Sequence, residues 1–208
     1  MPIAKVPFTF ILAPHYHPAL AFIAPYRKAL PFRTMFNVLG PLINPACPKG
    51  MVIGVAEPEL GYTFAQSLKN GGVKRALVVC GAERLDEISC AGDTHAWELK
   101  DGQITELTLH PSKFGLKTHS LSEVAGGTPE ENAETFRLLL TSGENIPERL
   151  TPQLDFVLLN AAALLVVAGV AKDLLEGVDL GRKSITSGKA WEALQLFRKA
   201  GEEAAAKI

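Results

Sequence analysis

Residues 51–80, MVIGVAEPELGYTFAQSLKNGGVKRALVVC, decide the fold. Residues 51–56 and 75–80 are continuous apolar runs of strand length, and residues 60–70 between them have helical spacing that ends at Gly71-Gly72. A strand, a helix and a strand in this order predict two parallel strands joined by a crossover helix. The sequence therefore favours the α/β class, with a mainly parallel sheet flanked by helices.

A hairpin signal follows these two strands. Residues 94–99 and 103–109 have strand composition and flank Asp101-Gly102, a dipeptide favoured in two-residue hairpin turns. We therefore expect an antiparallel hairpin beside the parallel strands.

The C-terminal half is predicted to be helical. Thr128 and Pro129 are a capping residue and a first-turn proline, and the helix that they begin should end near residues 142–143. Residues 154–171 form an apolar stretch near the lower length of a membrane span, but Asp155 and Asn160 interrupt it. We predict a helix buried in a protein core here, and a final amphipathic helix around residues 191–197.

Upstream of the first strand, prolines mark the element boundaries. Residues 8–12 are β-prone and predict a short strand, and Pro18 suits the first position of a helix. Pro25 is expected to break or restart that helix. A second short helix over residues 34–39 is expected to stop at Gly40-Pro41.

Composition excludes several classes of function. With 47% hydrophobic and 21% charged residues, the chain of 208 residues can fold around one core, so a single domain over residues 1–208 is expected. A net charge of −1, without a basic stripe, argues against nucleic-acid and membrane-surface partners. Three cysteines without Cys-x-x-Cys spacing predict neither disulfides nor a zinc site, which favours a reducing, cytoplasmic setting. No secretory signal peptide is expected at the N-terminus.

Residues 15–46 are unusually rich in proline, asparagine, arginine and histidine for a stretch among apolar residues. Within them, residues 17–46, HPALAFIAPYRKALPFRTMFNVLGPLINPA, resemble the signature of the anthranilate phosphoribosyltransferases, a His-Pro-Ala followed by V-R-x-x-L-G-x-R-T-x-F-N-x-L-G-P-L-x-N-P-A. Residues 85–89, LDEIS, and residues 160–164, NAAAL, resemble two further segments of that family. The resemblance implies an incomplete glycosyltransferase-family-3-like α/β domain.

Asp86 and Glu87 are the candidate metal ligands. They follow the second predicted strand by a few residues, where open α/β sheets place ligands, and carboxylate oxygens together with substrate phosphates suit Mg²⁺. From the residues alone, a solvated acidic turn is the ordinary alternative. The resemblance implies that this pair binds Mg²⁺ on the diphosphate of phosphoribosyl pyrophosphate.

The candidate acceptor site comes from the resemblance, which places Arg27 at the anthranilate carboxylate, Gly40 and Pro41 along the anthranilate channel, and His17 near it. On the residues alone, Arg27 is a surface arginine, Gly40-Pro41 a helix stop, and His17 a cap or core histidine. The implied reaction transfers the 5-phosphoribosyl group to anthranilate in tryptophan biosynthesis. No Ser-His-Asp or Cys-His pattern suggests a covalent nucleophile, which suits catalysis by positioning and Mg²⁺.

The chain also departs from the family pattern. The family's G-T-G-G-D diphosphate loop and K-x-G-N-R segment do not occur in residues 1–208, and Pro31 replaces a usual glycine. We therefore expect the C-terminal part of the family's larger domain, without its N-terminal helical subdomain. That expectation makes the family homodimer doubtful for this chain and predicts that the chain alone is inactive. A non-catalytic protein that binds aromatic acids or has a regulatory role, and a pyrimidine-nucleoside phosphorylase relative, remain as alternatives.

Overall fold

A computed structural model describes residues 6–11, 18–31, 34, 39–44 and 46–206, with the side chains of residues 18–21, 27 and 28 excepted. By internal contacts the chain divides into two compact units, Met1–Pro48 with Ala193–Ile208, and Lys49–Glu192. The two units are described separately below. The single domain expected from the sequence stays a prediction.

The larger unit is built on a four-stranded sheet. Strand β1 (Gly50–Gly54) leads through helix α2 (Gly61–Asn70) to β2 (Arg75–Gly81), and β1 and β2 pair in parallel. Residues 76–81 of β2 are all buried. Because successive side chains of a strand point to opposite faces, both faces of the sheet are covered at β2.

The sheet is mixed, and here the structure corrects the sequence. Strands β3 (Thr94–Lys100) and β4 (Gln103–Leu109) continue the order β1-β2-β3-β4, and both β2–β3 and β3–β4 are antiparallel. The α/β class and the hairpin are confirmed, but the described sheet is not mainly parallel. The reason is that β3 pairs with β2 itself, so the hairpin extends the sheet.

The hairpin turn is built as the sequence predicts. Asp101 and Gly102 both have positive φ, at 50° and 74°, as the two central residues of a type I′ turn require. Lys100 at the end of β3 pairs with Gln103 at the start of β4, directly beside the turn.

Helices follow the hairpin. Their bounds are Leu121–Val124 (α3), Pro129–Thr141 (α4), Thr151–Val167 (α5) and Leu174–Thr186 (α6). The predicted cap of α4 is confirmed, because the Thr128 and Glu131 side chains each bond the other residue's backbone N–H.

Helix α5 is the apolar helix predicted at residues 154–171, with its observed bounds three to four residues earlier. It packs on β1, β2 and α6, and its buried side chains include that of Asp155. By length and composition alone, residues 148–167 could cross a membrane, although 44% of the stretch is already buried. Gly177 of α6 lies so close to α5 that a Cβ there would be 2.9 Å from atoms of Ala162.

The smaller unit contains helix α1 (Pro18–Ala29), a 3-10 turn at Gly40–Ile43 and most of helix α7 (Lys189–Ala205). The ring of Phe8 meets that of Phe197 edge-on, at a centroid distance of 5.2 Å. This contact ties the N-terminal segment to α7.

Two predictions for the first 48 residues need correction, and a third falls mostly outside the described residues. Residues 8–11 of the predicted strand form no strand, since they have no strand partner among the described residues. Helix α1 begins at Pro18 as predicted but continues through Pro25 to Ala29, so the proline costs one hydrogen bond without ending the helix. Gly40-Pro41 begins a 3-10 turn, and most of the helix predicted before it lies outside the described residues.

Candidate functional site

The acidic pair lies in the loop that follows β2. Gly81 at the end of β2 accepts a hydrogen bond from the Arg84 N–H and donates its own N–H to the Leu85 carbonyl, each at 2.8 Å. Arg84 has a left-handed φ of 63°, which closes this turn. The turn sends the chain back toward the sheet, so Asp86 and Glu87 follow directly at the carboxyl end of β2.

The backbone of Asp86 rests against the carboxyl end of β1. A Cβ placed on Gly54, the last residue of that strand, would lie 1.6 Å from the Asp86 carbonyl oxygen and 2.3 Å from its carbonyl carbon. Only glycine permits this approach. The pair is thus at the ends of two parallel strands, the position expected for ligands in an open α/β sheet.

Both carboxylates are exposed to solvent, and no hydrogen bond or ion pair engages either one within the described part of the chain. Partial desolvation, followed by the negative charge of Asp86, raises the pKa of Glu87 above its usual value. A nearby cation would offset this rise in the pKa, because it favours the ionised form of the carboxylate. The pair is therefore held by its backbone while its oxygens stay available.

The donor set fits a cation of one particular kind. Among the described residues, no three His, Cys, Asp or Glu side chains are grouped to hold a metal ion by themselves. Mg²⁺ is commonly held by one or two carboxylates and completed by water and substrate phosphates. Asp86 and Glu87 fit that role, and they do not fit an all-protein metal cage.

The next three residues enter the core. Ile88, Ser89 and Cys90 are fully buried, and the Ser89 N–H donates to the Thr94 hydroxyl at 2.9 Å. The Cys90 carbonyl accepts from the His119 N–H, also at 2.9 Å. The exposed pair Asp86 and Glu87 is thus followed directly by buried residues whose backbone is hydrogen-bonded.

The predicted acceptor residues are in the smaller unit. Arg27 lies on α1, but its side chain is outside the described part, as is all of His17. Gly40 and Pro41 begin the 3-10 turn and are both exposed, and apart from its chain neighbours no described residue has an atom within 4 Å of a Cβ built on Gly40. Asn44 closes the same turn by accepting the Ala46 N–H at 3.0 Å. Their assignment to an acceptor site stays a prediction.

Sequence reasoning missed Gly54. The residue stands inside an apolar run that reads as an ordinary strand, and its role depends on a segment 32 positions later. A glycine in a strand interior often marks a close approach of another backbone, so the signal was present without its partner.

Comparison with known proteins places most of the chain in one family. Residues 2–191 match the glycosyl transferase family, a/b domain. An anthranilate phosphoribosyltransferase of Schizosaccharomyces pombe is 47% identical over 190 residues, which cover 91% of this chain and 53% of the relative.

Solved structures agree with this match. The anthranilate phosphoribosyltransferase from Saccharomyces cerevisiae in complex with PRPP and Mg superimposes with a TM-score of 0.83 at 33% identity, over 91% of this chain and 53% of that one. The same enzyme in complex with 4-fluoroanthranilate gives 0.84 at 33% identity, over 91% and 54%. The chain spans about half the length of the curated relatives it matches.

Proposed function

Because the chain belongs to the glycosyl transferase family, a/b domain, we propose that it forms the metal-binding part of an anthranilate phosphoribosyltransferase. The proposed substrates are phosphoribosyl pyrophosphate and anthranilate, with Mg²⁺ as the cofactor. The observation that carries the proposal is the pair Asp86 and Glu87 on a restrained backbone at the ends of two parallel strands, with carboxylates that no described residue engages by a hydrogen bond or ion pair. The related enzyme from Saccharomyces cerevisiae binds PRPP and Mg.

The proposed reaction replaces one bond at the anomeric carbon of the ribose. The bond from this carbon to the diphosphate oxygen breaks, and the electron pair leaves with the diphosphate. A bond from the anthranilate nitrogen to the same carbon forms, and that nitrogen loses a proton to solvent. Mg²⁺, when bound, neutralises charge on the leaving diphosphate.

The residues of this chain then have separate tasks. Asp86 and Glu87 would hold the cation, and the contact of Asp86 with Gly54 restrains the backbone that carries these two side chains. Arg27, Gly40, Pro41 and His17 are proposed to bind anthranilate, an assignment that rests on the family resemblance. A cytoplasmic setting is proposed as well, and the three free cysteines suit it.

A hybrid enzyme tests the proposal. Residues 2–191 would replace the matched segment of the Schizosaccharomyces pombe relative, so that the rest of the relative completes the site. Anthranilate is fluorescent, and its consumption with phosphoribosyl pyrophosphate and Mg²⁺ measures turnover. We expect an active hybrid, and we expect the Asp86→Asn, Glu87→Gln double variant to lose about 100-fold or more in kcat/KM at limiting Mg²⁺.

Glu83→Gln is the matched control, because Glu83 is an exposed carboxylate of the same loop. We expect it to change kcat/KM by less than about threefold. An equal loss in this control, or an inactive hybrid that still folds, would refute the proposed function.

A further inference from the structure

The side chain of Asn160, on α5, forms hydrogen bonds with the backbone of Ile88, the residue that follows the acidic pair. Its Oδ1 accepts the Ile88 N–H at 3.0 Å, and its Nδ2 donates to the Ile88 carbonyl at 3.3 Å. These two bonds cross 72 positions of sequence. One amide thus satisfies both backbone groups of the residue after Glu87.

The bonded N–H belongs to the peptide that joins Glu87 to Ile88. Fixing this peptide fixes the direction in which the Glu87 side chain leaves the backbone. On the other side of Glu87, the close contact between Gly54 and the backbone of Asp86 restricts the position of the loop. The two residues of the pair are therefore each restrained by backbone contacts, although no hydrogen bond or ion pair to a described residue engages their carboxylates.

Asn160 is itself well oriented for this task. Its Nδ2 also donates to the Phe156 carbonyl one turn earlier in α5, at 3.1 Å. All of its polar bonds are local or directed at Ile88, and the side chain is half-buried. Such an amide stays in one rotamer, since rotation would break three hydrogen bonds.

We propose that Asn160 is a positioning residue that holds Asp86 and Glu87 in the geometry required to bind Mg²⁺. The proposal rests on the metal assignment in the proposed function. It adds a residue outside the acidic loop, on a different element, that would act through the backbone of Ile88. Its contribution is to lower the cost of ordering the loop when the cation binds.

The experiment measures the protection of the loop backbone and the affinity for Mg²⁺ separately, both on the full 208-residue chain. Hydrogen exchange reports the Ile88 amide, and a calorimetric Mg²⁺ titration reports the affinity. Asn160→Ala removes both bonds, whereas Asn160→Asp keeps the acceptor for the Ile88 N–H. Leu158→Ala is the control, because Leu158 is fully buried on the same helix and faces Gly181 of α6.

We expect Asn160→Ala to speed exchange of the Ile88 amide and to weaken Mg²⁺ binding, each about tenfold or more. Asn160→Asp should retain part of the amide protection. Leu158→Ala should lower global stability at least as much, with Mg²⁺ affinity within about twofold of the parent at temperatures where it is folded.

Two results would overturn the inference. One is unchanged Mg²⁺ affinity in Asn160→Ala, and the other is an equal loss in Leu158→Ala, which would make the role merely structural. A parent chain whose Mg²⁺ response does not depend on Asp86 and Glu87 would refute the metal assignment itself, and the inference with it. The Asp86→Asn, Glu87→Gln variant separates this failure from the other two.

Discussion

Replacing Gly54 with alanine should disturb the candidate site more than its size suggests. The new Cβ would lie 1.6 Å from the Asp86 carbonyl oxygen, 2.3 Å from the carbonyl carbon and 2.9 Å from the Cα. All three atoms are backbone, so no side-chain rotation can relieve the contact. Strand β1 and the acidic loop must separate by about 1.5 Å to restore an ordinary contact distance.

The loss in the free energy of unfolding can be estimated from the effect of overpacking in other protein interiors. Added methyl groups in packed interiors cost about 1–3 kcal/mol, and a clash with backbone belongs at the upper end. The Asn160 bonds to Ile88 and the Gly81–Leu85 bond oppose the required shift. We expect a loss of about 3 kcal/mol in the free energy of unfolding, equivalent to a fall of about 6–12 °C in Tm for a chain of this length.

Gly50→Ala is the matched control on the same strand. Its Cβ would lie 3.3 Å from a Val167 methyl group and 3.5 Å from the Val167 carbonyl, a contact that a small side-chain adjustment relieves. We expect a change below about 1 kcal/mol. Urea unfolding measures both variants, and hydrogen exchange of residues 86–88 shows whether the loop moves in Gly54→Ala.

A free energy of unfolding for Gly54→Ala within about 0.5 kcal/mol of the parent would contradict the predicted clash. Equal destabilisation by Gly50→Ala would refute it as well, because general strand effects would then explain both. A destabilised Gly54→Ala with unchanged exchange at residues 86–88 would show that β1, and not the loop, gives way.

Two further predictions concern side chains with a raised pKa. In the native chain an aromatic disulfide reagent should modify the exposed Cys47 rapidly and leave Cys80 and Cys90 intact, since burial raises the pKa of both thiols; a Cys47→Ser variant that keeps a fast-reacting thiol contradicts this. Without metal, Glu87→Gln should raise the free energy of unfolding at neutral pH by less than about 1 kcal/mol, because a raised pKa means that the folded chain disfavours ionised Glu87. The gain should disappear as pH falls through the raised pKa to below the usual glutamate range, and urea titrations in which it grows on acidification would contradict the assignment.

Local signals predicted much of the larger unit. The apolar runs of β1 and β2, the helix between them and the Asp101-Gly102 turn all depend on residues close in sequence, and they form where the patterns predict. The direction of strand pairing could not be read in the same way. A hairpin pattern specifies its own two strands, but which strand it joins depends on the free edge of the sheet.

The candidate site shows the same division. Asp86 and Glu87 could be selected from their position after a strand, because strand ends and loops are local features. The roles of Gly54 and Asn160 arise from contacts across 32 and 72 positions, and periodicity carries no information on such pairs. Pro25 was misjudged for a different reason, since a proline lowers the stability of a helix without always ending it.

The close contact of Gly177 with Ala162 restrains the helix that carries Asn160. With a Cβ excluded at 2.9 Å, α5 and α6 meet almost backbone to backbone, and so α5 has little freedom to slide or tilt. Asn160 lies two residues before Ala162 and shares this restraint. If the loop binds a cation as proposed, most of its conformational entropy has already been lost on folding, and little would remain to be lost on binding.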